Sequence, residues 1–173
     1  MTATCFDALD RHVIAGAADH PALTDGTTTW SYARLLEEVA AFGGVLRHCG
    51  VAAGDRVAVA MPEVPEAVVA VLACARIGAS HDLGATEAKV VVTASSEGSV
   101  LAAAAAEVVL VKQVPGAETE LVEEHHHDWD VVMRAGRTDP AACVEGATVA
   151  PYDERTRAWV EPLLGGGTVE LAG

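Results

Sequence analysis

Residues 54–79 read GDRVAVAMPEVPEAVVAVLACARIGA, and this stretch decides the fold. Its run 57–61 is apolar without alternation, which is typical of a strand buried on both faces of a parallel sheet. Pro62 ends that run, Pro65 begins a helix, and Gly78 closes the helix. Because the helix is apolar almost all round, it should be well covered by other elements. A buried strand followed by a buried helix predicts an α/β fold.

The same alternation of strand and helix extends to both sides of this stretch. On the N-terminal side we predict a short helix over 5–15, a β-hairpin over 21–30 around Gly26, and a long helix over 32–49 with Ser31 as its N-cap. The pair Gly43-Gly44 inside the long helix predicts close helix packing, because glycine there otherwise only lowers helix propensity.

On the C-terminal side, the apolar runs 89–93 and 108–112 predict two further strands, and the alanine-rich residues 99–107 predict a small helix between them. The elements together predict a three-layer-like α/β architecture: a parallel-rich sheet with flanking helices and an N-terminal β-hairpin.

The character of the chain changes after Pro115, where acidic residues accumulate and a helix is expected around 123–135. Residues 136–173 contain prolines and a glycine triplet with weak periodicity, which predicts irregular structure. The sequence therefore predicts two parts: an α/β domain over residues 1–135 and an irregular C-terminal extension over 136–173.

Composition excludes several classes of partner. The 173 residues carry 25 Asp and Glu against 11 Lys and Arg, for a net charge of −14. An acidic surface repels phosphate, so we expect no nucleic-acid and no membrane partner. No apolar run is long enough to span a bilayer, and residues 1–20 lack the pattern of a signal peptide. A cytoplasmic location is the expectation.

The four cysteines are widely separated: Cys5, Cys49, Cys74 and Cys143. Without a C-x-x-C pair, neither a disulfide framework nor a zinc ribbon is expected. Cys74 falls on the buried helix and is expected to be inert. Cys143 falls in the extension, where no basic neighbour in the sequence would lower its pKa.

His81 and Asp82 are the candidate catalytic pair. A histidine beside a carboxylate can act as a general base near neutral pH. Adjacent residues need not face each other, and the alternative is a loop pair or a cap. Ligands of open α/β sheets favour the carboxyl ends of strands, so a pocket is expected near His81. Its other lining residues would be Met61, Pro62, Thr93 and Ala94.

A second polar cluster lies at residues 123–128, which read EEHHHD. The metal-ligating candidates in it are Glu124, His125, His127 and Asp128. Strand spacing would place the two histidines on one face, and helical spacing would pair the two acids. The competing interpretation is a solvated acidic face, which we favour, so no metal is expected.

Three segments resemble one known family. They are WSYARLLEEV (30–39), residues 54–79, and EAKVVVTASS (87–96), with weaker similarity at RHV (11–13), PAL (21–23) and DWDVVM (128–133). They resemble the N-terminal part of AMP-forming acyl-CoA synthetases, closest to the acetyl- and propionyl-CoA synthetase branch. The resemblance implies the fold of the first subdomain of an adenylate-forming enzyme.

The sequence departs from that family where the chemistry would lie. The family holds ATP phosphates with a Ser/Thr/Gly-rich loop that ends in lysine, and no segment here fits that pattern. The nearest phrase, residues 165–168, lacks the lysine and is interpreted as a turn. The family's remaining nucleotide-binding motifs would lie beyond residue 173.

A second departure is internal. After His81 the family continues into a strand, a glycine pair that approaches CoA, and a helix, whereas here only a few residues separate Leu83 from Lys89. A parallel crossover usually needs a dozen residues or more. Either the strand at 80–83 is lost or it pairs differently. The arginines that would meet the CoA phosphate are also absent, since residues 94–111 contain no Arg.

Three functions remain open from the sequence. The first is a non-adenylating descendant that binds a small molecule or a partner protein, as an accessory factor in acyl or polyketide metabolism, with no cofactor. The second is a repurposed small enzyme for cyclisation, isomerisation or hydrolysis of a carbonyl compound. The third is half of a split synthetase. A bare apolar face further predicts a homodimer, with the extension helping to cover it.

Overall fold

The computed structural model describes residues 2–82 and 87–172. A π-helical turn, Phe6–Asp10, begins the fold. The α-helices are α1 (Arg11–Ile14), α2 (Tyr32–His48), α3 (Pro65–Arg76), α4 (Gly98–Ala103), α5 (Trp129–Gly136) and α6 (Glu154–Leu164). The strands are β1 (Pro21–Thr24), β2 (Thr29–Ser31), β3 (Arg56–Ala60), β4 (Ser80–Asp82), β5 (Val90–Ala94), β6 (Val108–Lys112), β7 (His126–Asp128) and β8 (Val169–Glu170).

Five strands form the central sheet in the order β4-β3-β5-β6-β7, and every neighbouring pair is parallel. The strands expected from the apolar runs, β3, β5 and β6, occupy its middle. Apolar side chains on both faces suit this position because helices cover both faces of a parallel sheet. The predicted α/β fold class is confirmed.

The sheet separates two apolar clusters of unequal size. The larger one packs α2, α3 and α5 against one face and includes Phe42, Leu72 and Leu110. The smaller one, on the other face, contains Ala58, Val91, Val109 and Val111 among the described residues, with residues of α4 and Leu121 packed against it. No helix in residues 2–82 and 87–172 has the length and apolar character needed to cross a membrane.

The predicted hairpin forms, with β1 antiparallel to β2, and α2 begins directly after it. The Ser31 hydroxyl accepts a hydrogen bond from the Arg34 amide at 3.3 Å, as its N-cap role requires. Gly50 follows the helix at φ +82°, a conformation that glycine adopts without strain.

The glycines of α2 allow a close approach to α5, as predicted. A Cβ atom at Gly44 would collide with the carbonyl oxygen of Asp139, just after α5. Gly136, at the end of α5, is equally restricted by the carbonyl oxygen of Ala41. The two helices can therefore touch through their backbones only because these positions carry no side chain.

For residues 80–83, the sequence left open whether the strand is lost or pairs differently, and the structure decides this point. The strand is present, and it pairs parallel to β3, with Val57 opposite His81. Of the link to β5, residues 83–86 lie outside the described residues. The expectation that a parallel strand here needs a dozen connecting residues is wrong, because a three-residue strand spans only about 10 Å. The seven positions between the end of β4 at Asp82 and the start of β5 at Val90 can span up to about 23 Å, which is long enough to join the two strands.

The prediction of an irregular extension over 136–173 is also wrong in part. Residues 154–164 form α6, whose N-cap Asp153 accepts a hydrogen bond from the Thr156 amide at 2.8 Å. β8 then pairs parallel to β1 and extends the hairpin into a three-stranded sheet. Pro162 inside α6 hid the helical pattern from sequence analysis. The division of the chain at residue 135 stays a prediction.

Candidate functional site

A ligand is expected at the carboxyl ends of the strands, and the C-terminal segment contacts both the residue after β3 and the middle of β4. The Arg155 guanidinium donates a hydrogen bond to the Met61 carbonyl at 2.8 Å. The His81 amide donates to the Ala150 carbonyl at 3.0 Å. We call residues 150–156 the covering segment. Its contacts fasten this segment to the end of β3 through the Arg155 side chain and to β4 through the Ala150 carbonyl.

His81 lies beneath the covering segment and is only 3% exposed. Its Nε2 is 2.9 Å from the Thr156 hydroxyl, which is itself buried, while its Nδ1 is buried without a hydrogen-bond partner among the described residues. Burial lowers the pKa of His81, and Arg155 lowers it further, whereas Asp153 and Asp82 raise it. Burial thus favours the neutral imidazole, and both ring nitrogens are enclosed.

The other predicted site residues are distributed along the same edge. Met61, Thr93 and Ala94 are buried, and the Thr93 hydroxyl is buried without a hydrogen-bond partner among the described residues. Pro62 and Asp82 are half-buried. Asp82 is the last residue of β4, and its negative charge raises the pKa of the neighbouring His81. The catalytic assignment of His81 and Asp82 stays a prediction.

Surface cavities lined by described residues lie elsewhere on the molecule, among them four of about 410 to 470 Å³. One of about 420 Å³ is lined by Ser95, Glu123 and His126, beside α4. Another of about 470 Å³ is more apolar and is lined by Val45, Leu110 and Val132 among others. None of these four is lined by His81, so the pocket expected there stays a prediction.

Among the candidate metal ligands Glu124, His125, His127 and Asp128, the aspartate has a structural role. Asp128 caps α5 by accepting a hydrogen bond from the Val131 amide at 3.1 Å. His127 lies on β7 and is exposed, and Glu124 is also exposed. These residues do not form a compact set of ligand atoms. In residues 2–82 and 87–172, only Cys5, Asp10 and Cys143 bring three such atoms within 4.8 Å of one another.

Sequence reasoning missed this last group because its members come from distant parts of the chain. Cys5 precedes the π-helical turn, Asp10 ends it, and Cys143 follows α5. Arg76, at the end of α3, donates to both Asp10 oxygens at 2.9 to 3.2 Å. The expectation that no basic group lies near Cys143 is therefore wrong, because the fold brings Arg76 to the cluster.

Both lysines of the chain are held by carboxylates. The Lys89 ammonium lies 3.1 Å from an Asp55 oxygen. The Lys112 ammonium lies 2.9 Å from Asp130 and 3.4 Å from Glu66. The two carboxylates beside Lys112 raise its pKa even though burial opposes this. Both lysines are therefore already paired with carboxylates of the chain itself.

The glycine triplet after α6 forms a turn, as the sequence indicated. The amides of Gly165, Gly166 and Gly167 donate to carbonyls at the end of α6. The Gly167 carbonyl accepts a hydrogen bond from the buried Tyr32 hydroxyl at 2.7 Å. These amides are used within the helix terminus, so the triplet connects α6 to β8.

Comparison with known proteins gives one consistent result. The model of the AMP-binding enzyme family matches residues 10–162. The acetyl-coenzyme A synthetase of Streptomyces coelicolor is 32% identical over 169 residues, which cover 92% of this chain and 25% of that protein. The mitochondrial acyl-CoA synthetase short-chain family member 3 of Rattus norvegicus is 45% identical over 89 residues, covering 48% of this chain and 13% of that protein.

A solved structure is similar as well. The crystal structure of an acyl-CoA synthetase from Brucella canis superposes with a TM-score of 0.64 at 26% sequence identity. The match covers 78% of this chain and 27% of that chain. This chain thus spans at most about a quarter of the length of these relatives.

Proposed function

Because this chain belongs to the AMP-binding enzyme family, we propose that it is a non-adenylating relative of the acyl-CoA synthetases. In this proposal it binds a partner protein or a small molecule and acts as an accessory factor in acyl or polyketide metabolism. The α/β fold, which is similar to that of an acyl-CoA synthetase, supplies the stable scaffold on which this partner or ligand would bind. The proposal concerns the activity of these 173 residues by themselves.

The covering segment is the observation that carries this proposal. In open α/β sheets, ligands bind in the crevice outside the carboxyl ends of the strands. Here the Arg155–Met61 hydrogen bond and the Ala150–His81 hydrogen bond hold residues 150–156 across β3 and β4. A nucleotide at this edge would have to displace these contacts and the buried Thr156–His81 pair.

The charge of the chain supports the same proposal. Adenylation requires preorganised positive groups opposite the triphosphate. Lys89 and Lys112 each bind carboxylates, and the chain carries a net charge of −14. Binding of ATP would therefore have to overcome repulsion at most of the surface.

ATP–pyrophosphate exchange tests the proposal. The purified chain, incubated with acetate or propionate, ATP and Mg²⁺, is expected to give exchange at the level of the buffer blank. An intact acetyl-CoA synthetase assayed in parallel is the positive control. Exchange by this chain alone would overturn the proposal, and exchange only after a second chain is added would instead support the split-synthetase function.

The alternative function, acid–base chemistry on a carbonyl compound by His81 and Asp82, is less well supported. A general base must come within hydrogen-bond reach of its substrate. The His81 ring is 3% exposed, and its Nε2 is already paired with Thr156. A substrate could reach it only if the covering segment moved away.

The homodimer expected from the sequence stays a proposal, and the thinly covered sheet face is its candidate surface. That face buries four apolar residues under α4 and Leu121, and Val122 beside it is 74% exposed. Light scattering is expected to give twice the chain mass at high protein concentration. The average mass is expected to fall towards that of one chain on dilution. A monomer at all concentrations that binds no hydrophobic dye would contradict dimerisation.

A further inference from the structure

Two cysteines from opposite ends of the chain meet beside a buried arginine. The sulfur atoms of Cys5 and Cys143 and a carboxylate oxygen of Asp10 lie within 4.8 Å of one another. Arg76 Nη1 lies 3.9 Å from the Cys5 sulfur and 2.9 Å from Asp10. A metal cation here would be placed against the guanidinium, so the cluster is better suited to thiol chemistry than to metal binding.

The backbone holds the two cysteines in place. The Val149 amide donates to the Ala3 carbonyl at 2.8 Å, and Thr4 forms an antiparallel bridge with Thr148. The Val144 amide donates to the Arg76 carbonyl at 2.8 Å, directly after Cys143. These bonds fix both segments against the same part of the core, so the approach of the sulfurs is a property of the fold.

The two thiols differ in exposure. Cys5 is fully buried, whereas Cys143 is half-buried and lines a surface cavity of about 450 Å³ together with Phe6 and Glu145. A hydrogen bond from Cys5 lowers the pKa of Cys143 to about 7, and Arg76 and the Phe6 amide act in the same direction. The same hydrogen bond raises the pKa of Cys5, and only Cys143 is open to a reagent that enters the cavity.

We propose that Cys5 and Cys143 form a peroxide-sensitive dithiol, in which Cys143 reacts first and Cys5 then closes an intrachain disulfide. The Cys143 thiolate attacks one oxygen of hydrogen peroxide, the O–O bond breaks, and hydroxide leaves, which takes up a proton to become water. The Cys5 sulfur then attacks the sulfenic sulfur. An S–S bond forms, the S–O bond breaks, and a second water leaves with the thiol proton.

The disulfide would fasten the N-terminal segment to the segment that leads into α6. Residues 144–149 connect Cys143 to the covering segment, which contains Asp153, the N-cap of α6. A bond from Cys5 to Cys143 therefore limits how far the chain before the covering segment can move from the core. Oxidation is expected to raise the Tm, because the crosslink restricts the unfolded chain over a long loop. This proposal does not depend on the proposed function.

Peroxide treatment followed by mass spectrometry tests the dithiol. The reduced chain is expected to lose two hydrogens in mass and to yield one crosslinked pair of peptides, containing Cys5 and Cys143. The matched control, Cys49→Ser, is expected to behave as the wild type. No mass loss, a crosslink to Cys49 or Cys74, or a crosslink between chains would overturn the proposal.

Two variants separate the roles of the thiols. Cys143→Ser is expected to form no disulfide, because Cys5 is enclosed. Cys5→Ser is expected to accumulate a sulfenic acid at Cys143, which a 1,3-dione reagent traps. If Cys5→Ser fails to fold, wild-type protein trapped with the dione at early times gives the same information. Trapping at Cys5 instead of Cys143 would reverse the order of reaction and contradict the proposal.

The pH dependence of alkylation provides a second readout. The groups that face Cys143 are Cys5, Arg76 and Asp10, and Asp7 and Glu145 line the same cavity. Labelling of Cys143 by iodoacetamide is expected to rise with pH, with its midpoint near 7. Burial raises the pKa of Cys49, so its labelling should rise only at higher pH. Labelling of Cys49 before Cys143 at pH 7 would contradict the assignment.

Discussion

Replacing Arg76 with alanine is expected to lower the free energy of unfolding by about 3–5 kcal/mol. The Arg76 side chain is 8% exposed and that of Asp10 is 16% exposed, and the two form a bidentate ion pair. Without the guanidinium, the Asp10 carboxylate remains buried with no cation beside it. The Ala141 carbonyl also loses its hydrogen bond from Arg76 Nε at 2.7 Å. Urea unfolding followed by circular dichroism measures the loss.

Arg137→Ala is the matched control, because Arg137 pairs with Glu38 at 2.7 Å but its side chain is 51% exposed. Its expected cost is below about 1 kcal/mol. The double variant Arg76→Met/Asp10→Leu removes both charges and is expected to be less destabilised than Arg76→Ala. A cost of Arg76→Ala as small as that of Arg137→Ala would show that the buried pair does not hold these segments together.

The second large effect is expected at Trp129. Trp129 begins α5 and stacks on Phe42 of α2, with ring centroids 4.2 Å apart and planes 23° apart. Both rings are buried. Truncation to alanine removes the stacked ring and leaves a cavity between the two helices, at an expected cost of about 3–5 kcal/mol. The same urea titration measures it.

Val131→Ala on the same helix is the control, since Val131 is 55% exposed and its loss is expected to change stability by about 0.5 kcal/mol or less. Trp129→Phe keeps an aromatic ring against Phe42, so its free energy of unfolding should fall between those of Trp129→Ala and Val131→Ala. Equal stability of the Trp129→Ala and Val131→Ala variants would mean that the packing of Trp129 against Phe42 does not stabilise the fold.

The strands around the candidate site could be predicted in part from the sequence, but the segment that covers His81 could not. The order of strand and helix predicted a buried strand that ends at Met61, and the structure has Met61 directly after β3, whereas His81 lies on β4 opposite Val57, near the amino end of β3. The covering segment comes from residues 150–156, about 70 positions further along the chain. No local pattern reports that Arg155 will donate to the Met61 carbonyl, because that bond depends on how α6 packs.

The sequence by itself determined the fold class, the middle of the sheet and the helices α2 and α3. Uniformly apolar runs produce β3, β5 and β6, and a serine cap and a terminal glycine bound α2. These signals are local, since hydrophobic period and capping act within a few residues. Similarity to acyl-CoA synthetases was visible for the same reason: it rests on continuous segments.

Only the tertiary structure decided the short strands β4, β7 and β8, the cover over His81, and the meeting of Cys5, Cys143 and Arg76. A strand of two or three residues has too little pattern to be recognised and forms because a neighbouring strand presents unpaired hydrogen-bonding groups. Burial of Arg76 likewise requires Asp10, 66 residues earlier in the chain. Such partners are chosen by packing of the whole core, which no single segment encodes.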